Sequence, residues 1–288
     1  MEYFSPRQLP EAYALLDRYG EAAIPIAGST FFMGHREELF DEVEAVVNIK
    51  KLGLGYIRIE GKDLRIGATT TLNEIHRAPE TSRGPLRIFA ETVSELNICE
   101  VRNVATIGGE VCIAGEVDMP TTLLAYDAQI VIGSSKGTRV MPMSEFHVGY
   151  LRNALKPGEM VIEVRIPVPP ARTGGGFGKF ERTAADLPIV NAAARLTLDR
   201  RGMVEDVRIT AGAATAAGIP VRAAAAEKLL QGKKPDDALI LEAALAAGTI
   251  DCVDDFRASA RIRGRWVQCA AEHALKRALS HAKEEESS

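Results

Sequence analysis

The chain is poor in the patterns that most often announce a reaction. Its four cysteines, Cys99, Cys112, Cys252 and Cys269, show no C-x-x-C spacing, which excludes a zinc ribbon or a local iron–sulfur motif and reads as free thiols in a reducing compartment. The five histidines, His35, His76, His147, His273 and His281, form neither H-x-x-x-H nor H-E-x-x-H, so no metal site is legible. There is no G-x-S-x-G, no G-x-x-x-x-G-K-[ST], and no G-x-G-x-x-G at a strand–helix junction. Serine-nucleophile, P-loop and Rossmann chemistry are therefore disfavoured. A basic excess is missing too: 35 Lys and Arg stand against 39 Asp and Glu, a net charge of −4, which argues against a nucleic-acid partner. No apolar run approaches the ~18 residues of a membrane span, and Met1 is not followed by a basic segment and an apolar core. The expected location is the cytoplasm.

What is present is an ordinary globular composition with 26% charged residues and 288 residues of length, for which two domains are the natural expectation. Leu9, Tyr13, Leu16 and Tyr19 recur at helical spacing before Gly20, predicting a short amphipathic helix. Residues 22–27 and 44–49 are compact apolar runs, so residues 1–50 read as a small βαβ-type layer with a parallel component. Residues 56–60 and 64–68 alternate around Gly61-Lys62-Asp63, the pattern of an antiparallel hairpin. A helix is expected over 85–97, and strands over 129–132, 138–141 and 159–167. Residues 167–176 run from prolines into glycines, the composition of an interdomain linker, and Gly174-Gly175-Gly176-Phe177-Gly178 reads best as its flexible end. Beyond it, 189–197 and 204–210 form a hairpin, 221–230 a helix stopped by Gly232, and 259–281 a long last helix. The acidic tail 284–288 reads as frayed.

Two stretches call for more than folding. Gly108-Gly109 interrupts an apolar run, where glycine allows positive φ or close approach to its amides. Asp118 precedes Met119-Pro120, the pattern of an N-cap with proline in the first helical turn. Gly28-Ser29-Thr30 ends the strand at 22–27 and forms a second small-residue loop. Two such loops facing one another would clasp a diphosphate with backbone amides. Lone cysteines offer no base partner for nucleophilic work, and Trp266, beside Arg261, Arg263 and Arg265, reads as packing. The residues by themselves reach a two-domain binder of a diphosphate-like ligand, and no reaction.

The ordered set Pro25-Ile-Ala-Gly-Ser-Thr30, Val101-Arg-Asn-Val-Ala-Thr-Ile-Gly-Gly109, Asp118-Met-Pro120, Leu155-Lys-Pro-Gly-Glu159, Ile166-Pro167, 177–186 and Arg261-Ile-Arg-Gly264 resembles the FAD-binding medium subunits of molybdenum hydroxylases, the xanthine dehydrogenase and carbon monoxide dehydrogenase flavoproteins. The resemblance covers almost the whole chain. It implies an α+β chain: a two-part FAD domain of the vanillyl-alcohol-oxidase type over 1–172 (1–52 and 53–172), then a C-terminal α/β domain over 173–288 with a small antiparallel sheet and helices. It implies an oxidoreductase subunit that passes electrons between a [2Fe-2S] subunit and an acceptor such as NAD+ or a quinone. The implied partners are an iron–sulfur small subunit and a large subunit with the molybdenum cofactor, in a heterotrimer or its dimer.

By the same resemblance Ile26, Ala27, Gly28, Ser29, Thr30, Phe31 and Phe32 make the first FAD loop and Thr106, Ile107, Gly108, Gly109 and Glu110 the second. Asp118 is implied to hold the adenosine or ribityl part, Val161 to line the flavin pocket, and Lys179 to lie beside the cofactor. Without the family, Val161 reads as core and Lys179 as a solvated side chain. The family pattern has a second glycine where Ser29 stands, a polar residue and leucine where Phe31-Phe32 stand, and Asn, Asp or Ser where Glu110 stands. A carboxylate is repelled by a diphosphate, so Glu110 is expected to turn its charge away and contribute its backbone amide. The competing readings are a structural subunit with weakened FAD binding, motivated by Ser29, Phe31 and Glu110, and a stand-alone flavin oxidase.

Overall fold

A computed structural model describes residues 1–35, 41–96 and 98–284. Strand β1 (Glu2–Phe4), helix α1 (Leu9–Tyr19), β2 (Ala23–Ile26), α2 (Thr30–Gly34) and β3 (Ala45–Asn48) open the chain. They form a parallel sheet of order β1-β3-β2, the small layer expected from residues 1–50, with β1 unforeseen because three residues are too short to show a period. Helix α1 buries Ala12, Tyr13 and Leu16 and ends at Gly20 with φ 54°, where a residue with a Cβ would be strained.

The second layer is one antiparallel sheet of order β4-β5-β10-β6-β7. Strands β4 (Ile57–Glu60) and β5 (Asp63–Gly67) make the expected hairpin, turning at Gly61 with φ 67°. Helices α3 (Leu72–Arg77), α4 (Arg87–Ser94), α5 (Cys99–Arg102), α6 (Ile107–Cys112) and α7 (Met119–Ala125) follow, then β6 (Gln129–Ser134) and β7 (Gly137–Pro142). Asn97, the expected end of the helix over 85–97, lies outside the described residues. Helix α8 (Met143–Phe146) and the short pair β8 (His147–Gly149) and β9 (Arg152–Asn153) lead to β10 (Met160–Pro167), which runs between β5 and β6. One apolar core, including Leu64, Ile66, Phe89, Tyr126, Ile130 and Val164, joins sheet and helices.

The third sheet, β11-β12-β13-β14, is antiparallel: β11 (Thr173–Phe180), β12 (Val190–Leu198), β13 (Val204–Gly212) and β14 (Val221–Arg222), covered by α9 (Ala224–Leu230), α10 (Asp237–Ala247) and α11 (Ala260–Glu284). Two expectations are corrected here. Val221 and Arg222 pair with β13 before the helix begins, and the glycine run 174–178 is a paired strand, not a linker. The run is glycine-rich because of what packs on it. A Cβ at Gly174, Gly176 or Gly178 would strike the carbonyl oxygens of Ala278, Ala274 and Ala270 of α11 respectively. Every second strand residue thus meets every fourth helix residue, about 6.6 Å against about 6 Å of rise, so the two backbones stay in step along their length. On the opposite face Gly175 lies against Tyr126 and Ile88, and Phe177 and Ala193 enter the first core.

The third sheet is therefore held between the core of the second layer and α11. Trp266 stacks on Phe180 with centroids 6.0 Å apart, the packing role expected of it. Arg263, 1% exposed, donates to Asp255 and to the carbonyls of Ile189 and Ala213. Residues 285–288 of the acidic tail lie outside the described residues, whereas Glu284 closes α11. No helix among the described residues is long and apolar enough to cross a membrane. Substituting Gly176→Ala is expected to force α11 off β11 and lower stability by about 1–3 kcal/mol, read as a lower denaturant midpoint, while Gly149→Ala, where a Cβ meets nothing within 4 Å, serves as the control.

Candidate functional site

The first loop leaves β2 at Ile26 and enters α2. Gly28 is held so closely against the second loop's approach that a Cβ there would strike the Val104 carbonyl and the Ala105 Cα; this contact is what brings the two loops together. Ser29 sits at φ 60°, a left-handed conformation that glycine adopts without penalty and serine at a cost of about 1 kcal/mol or more. Thr30, Phe31 and Phe32 form the first turn of α2, where backbone N–H groups lack intrahelical acceptors. Phe31 stacks on His35 at 4.0 Å, and Phe32 is buried.

The second loop is not a glycine turn. Thr106 caps α6, its hydroxyl accepting from the Gly109 N–H at 3.3 Å, and Gly108 and Gly109 are helical residues of negative φ. Gly108 is required by contact, since a Cβ would overlap Ala68, and its N–H donates to the Ala68 carbonyl at 3.0 Å. The N–H groups of Ile107 and Glu110 donate to Thr70 and Thr106 carbonyls, each at 3.0 Å. Val161 is 4% exposed within the core on β10; its neighbour Ile162 accepts from the Ala68 N–H at 3.0 Å, which ties this strand to the second loop.

Asp118 departs from the simple capping expectation. It precedes α7, but its side chain makes no cap hydrogen bond. Instead Oδ1 accepts from Asn191 Nδ2 at 2.8 Å and Oδ2 pairs with Lys179 Nζ at 3.1 Å. Lys179, at the end of β11, is not solvated: its side chain is 4% exposed, and Nζ also meets Glu181 Oε2 at 2.7 Å and the Glu95 carbonyl at 3.3 Å. Asn191, on β12, further donates to the Val117 carbonyl at 3.0 Å and accepts from the Thr121 hydroxyl at 2.8 Å. Burial pushes Asp118 above the ordinary carboxylate range against the pull of Lys179 and Asn191. Burial would depress Lys179, but Asp118 and Glu181 outweigh it and hold the ammonium above its usual value.

Glu110 completes the cluster. It is buried, one carboxyl oxygen has no partner, and it lines with Asp118 and Lys179 a cavity of about 140 Å³ whose apolar side is Leu96, Ile98 and Val101. Burial first, then the Asp118 charge, raises its pKa to about 7, opposed by the amides of Met119 and Asp118 and by Lys179. The expectation that Glu110 contributes its amide is at odds with the geometry, because that N–H donates to the Thr106 carbonyl, while the carboxyl takes the Met119 and Asp118 N–H groups at the start of α7. Sequence reasoning missed Asn191 and Glu181. Asn191 carried a signal, a lone amide in the apolar run Ile189-Val190-Asn191-Ala192-Ala193; Glu181 carried none.

Comparison with known proteins gives a consistent answer. A family model for the FAD binding domain in molybdopterin dehydrogenase matches residues 1–169, and one for the CO dehydrogenase flavoprotein C-terminal domain matches 176–280. The 6-hydroxypseudooxynicotine dehydrogenase complex subunit alpha of Paenarthrobacter nicotinovorans is 30% identical over 98% of this chain and 95% of its own length. The carbon monoxide dehydrogenase medium chain of Afipia carboxidovorans is 30% identical over 98% of both. Among solved structures, a cyanide-inactivated Cu,Mo-CO dehydrogenase matches with TM-score 0.91 at 27% identity, and quinoline 2-oxidoreductase from Pseudomonas putida 86 with 0.89 at 25%, each over 98% of both chains.

The buried pair sets a stability expectation. Lys179→Met leaves Asp118 and Glu181 without their cation and is expected to cost about 3–5 kcal/mol. Adding Asp118→Asn should return a large part of that loss in a denaturant titration; no recovery would mean the ion pair is not what holds Lys179.

Proposed function

The chain belongs to the family of FAD-binding medium subunits of molybdopterin dehydrogenases, and from that premise we propose that it holds FAD between its two loops and passes electrons from a [2Fe-2S] partner subunit to an external acceptor, NAD+ or a quinone. Its relatives are subunits of oxidoreductase complexes. The observation that carries the reading is the cavity lined by Asp118, Lys179 and Glu110, of which Glu110 ends the second loop, whose lead-in at Val104 and Ala105 packs on Gly28.

The residues present fit the cofactor. Residues 26–32 offer the start of a helix and a left-handed Ser29 that turns the chain there, suited to a diphosphate. Residues 106–110 form the opposite wall, braced by Ala68 and Thr70. Asp118 keeps acceptor capacity for a hydroxyl of the ribityl or adenosine part, Lys179 supplies positive charge, and Leu96, Ile98 and Val101 offer an apolar wall for a ring system. Val161 supports the pocket from the core behind the second loop. When bound, FAD supplies the redox chemistry, exchanging one or two electrons between carriers; this chain's residues bind it, orient it and keep water out. That role needs no general acid, base or nucleophile, in keeping with a sequence that displays none. We further place the boundary between the FAD domain and the C-terminal domain at 172/173, between β10 and β11, with the molybdenum cofactor and the [2Fe-2S] clusters on partner chains of a heterotrimer or its dimer, in the cytoplasm.

Purification of the native complex, followed by flavin extraction and metal analysis, tests this. The expected result is one FAD for each copy of this chain, with iron and molybdenum on two co-purifying subunits. A complex that contains molybdenum and iron but no flavin absorbance would instead assign the chain a structural role, the reading that the strained Ser29 and the buried Glu110 favour.

A further inference from the structure

Glu110 is the residue whose placement the binding role leaves unexplained. It lies on α6, and its carboxyl takes the Met119 and Asp118 N–H groups at the start of α7, while its Oε2 is buried without a hydrogen-bond partner. The charged groups that face it come from two other elements, Asp118 ahead of α7 and Lys179 at the end of β11, whose ammonium also pairs with Glu181. Glu116 and Asp186 line the same cavity, and Cys112, the other titratable group of α6, is held as a neutral thiol by burial that pushes it up to about 12. With all three inner carboxylates ionised, one ammonium faces three negative charges. Such a site repels a diphosphate, which carries two more.

Resting on the reading that this cavity receives FAD, we propose that cofactor binding drives one proton from solvent onto Glu110, and that the neutral carboxyl then donates a hydrogen bond through Oε2 to an acceptor oxygen of the cofactor. Three observations support it. A buried oxygen without a partner is destabilising until a ligand satisfies it. Protonation removes one negative charge from the site and turns the oxygen into a donor. Glu116 and Asp186 line both this cavity and a larger cleft of about 520 Å³ that reaches the exposed Phe256, which puts two carboxylates between Glu110 and solvent. Proton occupancy in the free chain changes near neutral pH, as burial holds Glu110 at about 7.

The sign follows from linkage. The loaded state binds the proton more tightly than the free state, so uptake is small below that pH and approaches one proton above it. FAD affinity then falls as pH rises past neutrality, by up to roughly tenfold per pH unit. The test is calorimetric titration of FAD into the flavin-stripped complex, in buffers of different ionisation heat, at pH 6 and pH 8. The proposal expects uptake near zero at pH 6 and close to one proton at pH 8 for the wild type. Glu110→Gln should abolish the uptake and bind FAD at least tenfold more tightly than wild type at pH 8, with little difference at pH 6. Wild-type binding with no proton uptake at pH 8 would overturn the proposal, as would uptake that persists in Glu110→Gln and vanishes in Asp118→Asn. Failure of the wild-type complex to bind FAD at any pH would overturn the FAD reading itself, a separate outcome.

Discussion

A carboxylate that is 2% exposed must be given partners, and at Asp118 those partners come from the far side of the chain. Lys179 on β11 and Asn191 on β12 reach it from the C-terminal sheet, so the first two layers and the third sheet meet around one buried charge. What allows Lys179 to arrive there is the fit of β11 to α11. Glycine at alternate strand positions lets the strand backbone lie against the carbonyls of Ala270, Ala274 and Ala278, and the lysine follows the last of those glycines. A substitution that shifts the strand moves the cation as well, which makes packing and electrostatics one constraint.

This arrangement explains how a chain without acid, base or nucleophile motifs serves an oxidoreductase complex. A flavin carries its own reactivity, and the protein has to supply a wall of suitable shape and charge. The loops of residues 26–32 and 106–110 are pressed together by Gly28, while Asp118, Lys179 and Glu110 bound the adjoining cavity. The departures from the family pattern have physical identities. Ser29 keeps a glycine's backbone conformation with a side chain attached, and Glu110 puts a third carboxylate beside a single ammonium.

Local periodicity made much of the fold legible. Helix α1, the β4–β5 hairpin, β10 and the long α11 all declared themselves by spacing and by their stops. The glycine run 174–178 misled because composition reports conformational freedom and not contact: the same residues serve a linker or a strand pressed on a helix, and only the helix that begins at Ala260 distinguishes them. The candidate loops drew attention by their small residues, whereas the polar network beside them stayed opaque. Asp118 reads as a cap from its neighbours Met119 and Pro120, yet its partners lie 61 and 73 residues away. Lys179 reads as solvated because nothing in 177–181 shows that the sheet buries it. The family resemblance singled out Asp118 and Lys179 but not the salt bridge between them.

The central claim is that both halves of the chain build one flavin site around Asp118. A structure of the native complex with its flavin bound tests it most directly. The account predicts density for the diphosphate between residues 26–32 and 106–110, and for the adjoining part of the cofactor within hydrogen-bonding reach of Asp118 and Glu110, with Lys179 alongside. Flavin bound elsewhere on the chain, with the Asp118–Lys179–Asn191 cluster closed and remote from it, would contradict it.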